Sequence, residues 1–219
     1  MSVSVSSILS SVPFFAGLPA DELAVLASTL QRRTAKAGQA VFRQDDPGNS
    51  LYIIESGVVK VQRTSPEGKQ VILAILGPGD FFGELALLDG EPRSADAVIK
   101  EDAALLTLDR AEFLRFVESK PGVATKLLAA LSRRLRRTDQ LVQDAAFLDV
   151  PARLARALLQ LAESTERADL TQSELAAMVG ASRESVNRWL QFFRRRGLIE
   201  TTAGAIRVIK PEELKSQIY

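Results

Sequence analysis

The chain has 219 residues, 46% of them hydrophobic, and contains neither histidine nor cysteine. Those two zeros exclude a disulfide framework, a thiol nucleophile, a Cys/His zinc site, a Cys-ligated iron–sulfur cluster, a His- or Cys-ligated haem and histidine acid–base chemistry or pH-sensing. The net charge of +1 hides an asymmetry, because residues 1–120 carry 12 basic and 16 acidic side chains and residues 121–219 carry 16 and 11, a contrast that fits either a nucleic-acid-facing C-terminal half or a solvated basic face.

Met1 to Leu18 is rich in serine and has no Lys or Arg, so it lacks the charged start of a secretory signal. No run approaches the ~20 apolar residues of a membrane span, and a cytoplasmic protein without a membrane partner is expected. Leu23, Leu26, Ala27 and Leu30 fall at helical spacing behind Pro19 and the acidic pair Asp21-Glu22, which predicts a helix over residues 20–31. From about 33 to 108 the pattern changes to short apolar, partly β-branched runs at 51–54, 58–61, 71–76 and 103–108. Turn signals separate them at Asp45-Asp46-Pro47-Gly48, Pro66-Glu67-Gly68 and Gly77-Pro78-Gly79-Asp80, the punctuation of a small antiparallel barrel or jelly roll.

Residues 109–118 then read as a short helix, and Pro121-Gly122 opens a much longer one to about 148. In it Ala124, Leu128, Leu131, Leu135, Thr138, Val142 and Ala145 alternate in steps of four and three, the a/d seam of a two-stranded coiled coil. Arg133, Arg134, Arg136 and Arg137 read as its charged flanks. The seam either joins two copies of the chain or packs on its own domain. Thr138 is its one polar member, a place that sets register or touches something polar. Pro151 starts a further helix to about Leu161, followed by a charged loop.

Thr171-Gln172-Ser173-Glu174 has the form of a capping box, and Leu175, Ala176 and Val179 give the helix over 171–179 an apolar face. Gly180 permits a sharp turn, and Ser182 suits the cap of a second helix over 182–196. Helix, turn and helix at this spacing form the arrangement that places the second helix in the DNA major groove. On that helix Val186, Trp189, Leu190 and Phe193 are expected to be buried, and Glu184, Asn187, Arg188, Gln191 and Arg195 lie opposite. Arg183 and Arg188 can bond guanine O6/N7, and Glu184 can accept from cytosine N4. Arg194, Arg195, Arg196 and Arg207 suit phosphates, which add affinity without sequence preference. A hairpin through Gly204 suits a wing, and a last helix begins at Pro211.

Earlier in the chain, Gly83-Glu84-Leu85-Ala86-Leu87-Leu88 precedes Gly90-Glu91-Pro92-Arg93-Ser94-Ala95. Gly83 allows close backbone approach, and a short helix starting there aims free N–H groups at an anion. Arg93 can pair with that anion, Ser94 can donate a hydroxyl bond, and Glu84 can accept from a ribose hydroxyl. The competing reading is a surface ion pair of Glu84 with Arg93, worth little.

In this order the two motifs resemble the cyclic AMP receptor protein/FNR family of bacterial transcription regulators across residues 12–210. The likeness rests on Gly57, the FGELALL…PRSA stretch at 82–95, AFLDV at 146–150 and GASRESVNRWL at 180–190, and it is greatest toward the cyclic-AMP-binding branch. It implies an α+β fold: a cyclic-nucleotide-binding β-roll (jelly roll) in residues 1–120, a dimerisation helix in 121–149 and a winged helix-turn-helix in 150–219. It implies that Glu84, Arg93 and Ser94 bind the ribose 2′-hydroxyl and cyclic phosphate, with Gly83, Leu85 and Ala86 in the backbone cradle. Thr138 then bonds the adenine amino group, and Arg183, Glu184 and Arg188 read a TGTGA-type half-site. DNA backbone contacts are assigned to Thr171, Ser182, Asn187, Arg194, Arg195 and Arg207. Asp139 departs from the Ser or Asn usual after the Thr; its carboxylate can accept from adenine N6, or it can crowd the site and repel the phosphate.

The expectation is therefore a non-enzymatic homodimeric transcription regulator, with cyclic AMP as allosteric ligand, no cofactor or metal, and double-stranded DNA and RNA polymerase as partners. A same-fold regulator that is ligand-independent or senses another small molecule, and a cyclic-nucleotide-binding subunit acting on a protein, are the alternatives. An enzyme is disfavoured because no carboxylates show a paired arrangement.

Overall fold

Two short helices precede the strands in the computed structural model, which describes residues 4–163, 170–202 and 205–218. Helix α1 (Val5–Ser11) starts at Ser4, whose side chain accepts from the Ser7 N–H, and α2 (Ala20–Thr29) carries Asp21 and Glu22 in its first turn. The serine-rich start gave no periodic signal for α1. What holds it is burial: Ile8, Leu9, Val12, Phe14 and Phe15 all enter the core.

Strands β1 (Gln31–Ala35), β2 (Ala40–Phe42), β3 (Ser50–Thr64), β4 (Gln70–Leu76) and β5 (Phe81–Phe82) lead to helix α3 (Glu84–Asp89) and strand β6 (Asp96–Asp109). The sheet runs β1-β6-β3-β4, with β2 pairing β6 and β5 pairing β3. The runs expected as separate strands at 51–54 and 58–61 are one strand, β3, and 103–108 is the second half of β6. Gly57 explains the apparent break. It sits at φ 85°, a Cβ there would meet the Asp102 carbonyl at 2.3 Å, and the β3–β6 register shifts around it, as at a bulge. Strand β1 escaped prediction because Gln31-Arg32-Arg33-Thr34 is exposed and polar, composition suited to a sheet edge.

Along β3 successive side chains serve two cores, following the period of two. Tyr52 and Ile54 join Val59, Phe82, Ile99 and Leu105 in one cluster. Leu51 and Ile53 join Phe14, Phe81 and Leu108 in the other, which α4 (Arg110–Ser119) closes with Phe113. Helix α5 (Pro121–Phe147) packs Val123, Leu127 and Ala130 onto this second cluster. Of its predicted seam, Leu131 also packs on this cluster, whereas Leu128, Leu135 and Val142 are 65%, 62% and 65% exposed. Burial of the seam on its own domain therefore fails at these positions.

The chain falls into two compact units, Met1–Arg63 with Ala74–Arg136 and Thr64–Leu73 with Arg137–Tyr219. The second holds α6 (Val150–Glu163), α7 (Gln172–Val179), α8 (Arg183–Arg195), the antiparallel pair β7 (Ile199–Thr202) and β8 (Ala205–Val208), and α9 (Pro211–Lys215). Helix α6 packs against α7, α8 and α9. Leu154, Leu158, Leu175, Val186, Leu190 and Phe193 are buried there. Trp189 was expected in that core but is half-buried, edge-on to Phe192 with ring centroids 5.4 Å apart. The β7–β8 hairpin is present, whereas Gly204, expected at its tip, lies outside the described residues. No described helix is long and apolar enough to cross a membrane.

Phe14 is fully buried, with ring centroids 4.3 Å from Phe15, 4.7 Å from Phe81 and 6.2 Å from Phe113. Phe14→Ala is expected to cost about 3–5 kcal/mol in chemical denaturation. A loss below ~1 kcal/mol would mean that the N-terminal segment is not part of this core.

Candidate nucleotide and nucleic-acid sites

The first candidate site is built around Arg93, which is only 4% exposed although it carries a charge. Its guanidinium donates from Nη1 to the Gly83 carbonyl at 2.7 Å and from Nη2 to the Ser50 carbonyl at 2.9 Å. It also lies 4.2 Å from the Phe42 ring centroid and 5.8 Å from that of Tyr52. Burial pulls its pKa below the ordinary arginine value, a pull opposed by Tyr52, Glu84 and Asp46. Nε is buried and has no hydrogen-bond partner among the described residues. Neutral carbonyls and ring faces thus hold this cation in place without neutralising it, which leaves it able to attract an anion.

The backbone comes close to that cation on two sides. Gly83 caps α3 in the left-handed conformation at φ 84°, and a Cβ there would fall 2.6 Å from Arg93 Nη1. At Gly48 a Cβ would fall 2.3 Å from the Ala86 Cβ and 3.0 Å from Arg93 Nε. Both positions admit only glycine without displacement. The structure brings Gly83, Glu84, Ala86 and Arg93 together, with Leu85 and Ser94 at the exposed margin.

Glu84 does something the sequence did not announce. It is 3% exposed and accepts from Nη1 of Arg134 at 2.6 Å. The Arg134 guanidinium stacks 4.0 Å from the Phe81 ring centroid and donates to the Phe81 carbonyl. The surface ion pair of Glu84 with Arg93 is therefore not what forms: both groups are buried, and each is held by other partners. Arg134, read from sequence as a charged flank, is instead half-buried and directed at the cassette formed by α3 and Arg93. Its one signal was position, a full turn before Thr138.

Thr138 and Asp139 are exposed on α5, with Thr138 between Leu135 and Val142 on the uncovered stripe. Among the described residues no group of acidic side chains could hold a metal ion.

The second candidate site lies on α7 and α8. Thr171 and Glu174 form the full capping box at α7, and Gly180 ends it at φ 63°. The Thr171 hydroxyl accepts from the Glu174 N–H at 3.2 Å and donates to its carboxylate at 3.0 Å. Ser182 caps α8, accepting from the Ser185 N–H at 3.2 Å. Beyond it Arg183, Glu184, Arg188, Gln191, Arg194 and Arg195 are exposed, while Asn187 is half-buried and accepts from Gln191 Nε2 at 3.4 Å. The Glu184 carboxyl is held below the ordinary range by its own backbone N–H and the Ser182 hydroxyl, with a smaller contribution from Arg183. It therefore stays an acceptor only. Arg207 is exposed on β8 opposite Glu200, and the Arg196 guanidinium lies 5.1 Å from the Phe192 ring centroid. The exposed face of α8 carries donors and one acceptor of the kinds that read base edges, flanked by cations that suit phosphates.

Residues 32–120 match the cyclic nucleotide-binding domain family, and residues 152–217 match the Crp-like helix-turn-helix domain family. The chain is 38% identical over 219 residues to the CRP-like cAMP-activated global transcriptional regulator of Mycobacterium tuberculosis, covering 96% of this chain and 98% of that protein. It is 39% identical over 198 residues to the cyclic AMP receptor protein of Thermus thermophilus, covering 90% and 92%. The solved structure of the Thermus thermophilus catabolite activator protein is similar with a TM-score of 0.57 at 38% identity, over 94% of this chain and 98% of that one.

Removing Arg134 alone leaves a buried carboxylate without this cation. Arg134→Leu is expected to cost about 3–5 kcal/mol in chemical denaturation, and adding Glu84→Gln to recover a large part of it. Strictly additive losses across the cycle would show that the pair contributes nothing as a pair.

Proposed function

This chain belongs to the CRP/FNR family of transcription regulators, and from that premise we propose that it binds cyclic AMP in the α3 cassette and reads a palindromic TGTGA-type operator as a homodimer. It is a cyclic-nucleotide-binding, DNA-binding regulator and not an enzyme. The ligand, the operator and the assembly are the proposal. Residues 1–120 serve as sensor, 121–149 as dimerisation helix and 150–219 as reader.

The observation that carries the ligand reading is Arg93, a buried cation held by the Gly83 and Ser50 carbonyls with Nε left over. A cyclic phosphate supplies the anion it lacks, with the Ser94 hydroxyl and the α3 backbone N–H groups adding donors. The ribose 2′-hydroxyl donates to the Glu84 carboxylate, whose Oε1 also accepts from Arg134. Adenine then lies toward Thr138, and Asp139 accepts from N6, which favours adenine over guanine because guanine presents an acceptor at that edge.

The exposed stripe of Leu128, Leu135 and Val142 supports pairing of two α5 helices. A dimer presents two recognition helices to half-sites one turn apart, ~34 Å, and so reads a palindrome. Arg183, Glu184 and Arg188 discriminate bases. Thr171, Ser182, Asn187, Arg194, Arg195 and Arg207 hold the backbone. Ligand-linked coupling of ~1–3 kcal/mol suffices for a useful switch. RNA polymerase is the protein partner this role calls for.

Calorimetric titration checks the ligand assignment: cyclic AMP binds more tightly than cyclic GMP, and Asp139→Asn narrows that gap. Arg93→Lys keeps the charge but loses the fork, and at about 1.5–3 kcal/mol per charge-assisted bond it weakens cyclic AMP roughly 10- to 100-fold. Absence of binding by either nucleotide contradicts the assignment. For the reader, Arg183→Ala is expected to cost about 1–3 kcal/mol on the cognate half-site and to relax the preference at one base pair. An equal loss on unrelated DNA makes Arg183 a phosphate contact instead.

A further inference from the structure

Glu84 is one of two carboxylates that the described chain buries; the other is Asp144, 7% exposed and distant in sequence from both the cassette and the reader. Asp144 lies in the last turn of α5. Its Oδ1 accepts from Gln140 Nε2 at 2.7 Å and from Nη1 of Arg156, which lies on α6 and is itself largely buried.

The chain between those helices is minimal. Leu148 and Asp149 alone separate α5 from α6. The Leu148 N–H still donates to the Asp144 carbonyl at 3.0 Å, and the Asp149 side chain caps α6 by accepting from the Ala152 N–H at 3.1 Å. Each helix is thus closed off at its own end, and the backbone between them is left to bend at two residues. Dihedral freedom at two residues fixes no angle. A buried ion pair does, because a desolvated carboxylate and guanidinium are compensated only when their geometry is right.

We infer that the Asp144–Arg156 pair sets the angle of the α5–α6 elbow, so that these two side chains are positioning residues for the DNA reader. Helix α6 packs on α7 and α8, and a fixed α6 therefore fixes the recognition helix with respect to the C-terminal turns of α5. Those turns carry the seam residues Thr138, Val142 and Ala145. The elbow angle then determines how far apart two recognition helices stand in a dimer. This consequence for DNA rests on the proposed function; the elbow itself does not.

The absence of cysteine allows a direct measurement on the full chain. Ala146→Cys with Gln191→Cys places one spin label on an exposed position of α5 and one on an exposed position of α8. Diluting the labelled protein with a large excess of unlabelled chain restricts pulsed-resonance distances to those within one chain. The native pair is expected to give a narrow distribution, Asp144→Asn and Arg156→Met a broadened or displaced one, and Arg156→Lys an intermediate one. Asp144→Leu combined with Arg156→Met removes both charges at once, a replacement buried sites tolerate well; it should remain folded by circular dichroism and still broaden the distribution. Unchanged centre and width across these variants overturns the inference.

The functional arm uses palindromic duplexes with the spacer changed by two base pairs. The native protein should lose roughly tenfold or more in affinity on the altered spacer, and the single variants no more than about threefold, because half-site spacing reports helix separation. Equal spacer selectivity in the variants overturns the positioning role. Failure of the native protein to bind any palindrome contradicts the proposed function instead, and the label distances still decide the elbow.

Discussion

A buried carboxylate is costly without a partner of opposite charge, and in this fold the cation that bonds Glu84 comes from the long helix. Arg134 reaches from α5 across the Phe81 ring to Glu84 on α3 and to the Phe81 carbonyl. The neighbouring turns of α5 press Val123, Leu127 and Ala130 into the core that Phe14, Phe81 and Phe113 build. That leaves Leu128, Leu135 and Val142 facing outward. One face of the helix is thus committed to the β-roll, both by apolar burial and by a directional ion pair. The other is free for a second copy. In the proposed dimer, this division of faces makes the helix a shared element of ligand site and assembly.

Two arginines divide the electrostatics of the cassette. Arg134 is paired with a carboxylate and serves structure. Arg93 is held by carbonyls and aromatic faces, so its charge is oriented and kept. A buried cation of this second kind is unfavourable until an anion arrives, which is the physical basis for reading the site as one for phosphate. At the opposite end of the chain the pattern reverses: Arg183, Arg188, Arg194 and Arg195 are solvated, which suits the phosphate and base contacts proposed for them.

Much of this was legible in the sequence because it is local. The capping box of Thr171 and Glu174, the left-handed turn at Gly180 and the amphipathic face of α8 each depend on residues within a few positions of one another. The exposed stripe of Leu128, Leu135 and Val142 on α5 follows the repeat of four and three. The parts that were missed depend on distant partners. Arg134 and Glu84 lie 50 residues apart, and nothing near either marks the pair. Gly48 matters only because Ala86 and Arg93 fold against it. Strand β1 is polar because it forms an edge, and α1 is a helix because the core accepts its few apolar side chains. Gly57 was visible as a residue of the family likeness, but its effect, a bulge that lets β3 bend without ending, required the β6 backbone beside it. The two tandem motifs, more than composition, carried the functional reading, and the family matches over 32–120 and 152–217 fall on the same stretches.

The central claim is that nucleotide in the cassette and DNA on α8 are linked through one dimer. Fluorescence anisotropy of a palindromic TGTGA-type duplex, titrated with protein at fixed salt with and without saturating cyclic AMP, tests that linkage most directly. The account predicts affinity higher with the nucleotide by about 5- to 150-fold, the range of a ~1–3 kcal/mol coupling. Identical affinity in the two titrations would contradict it.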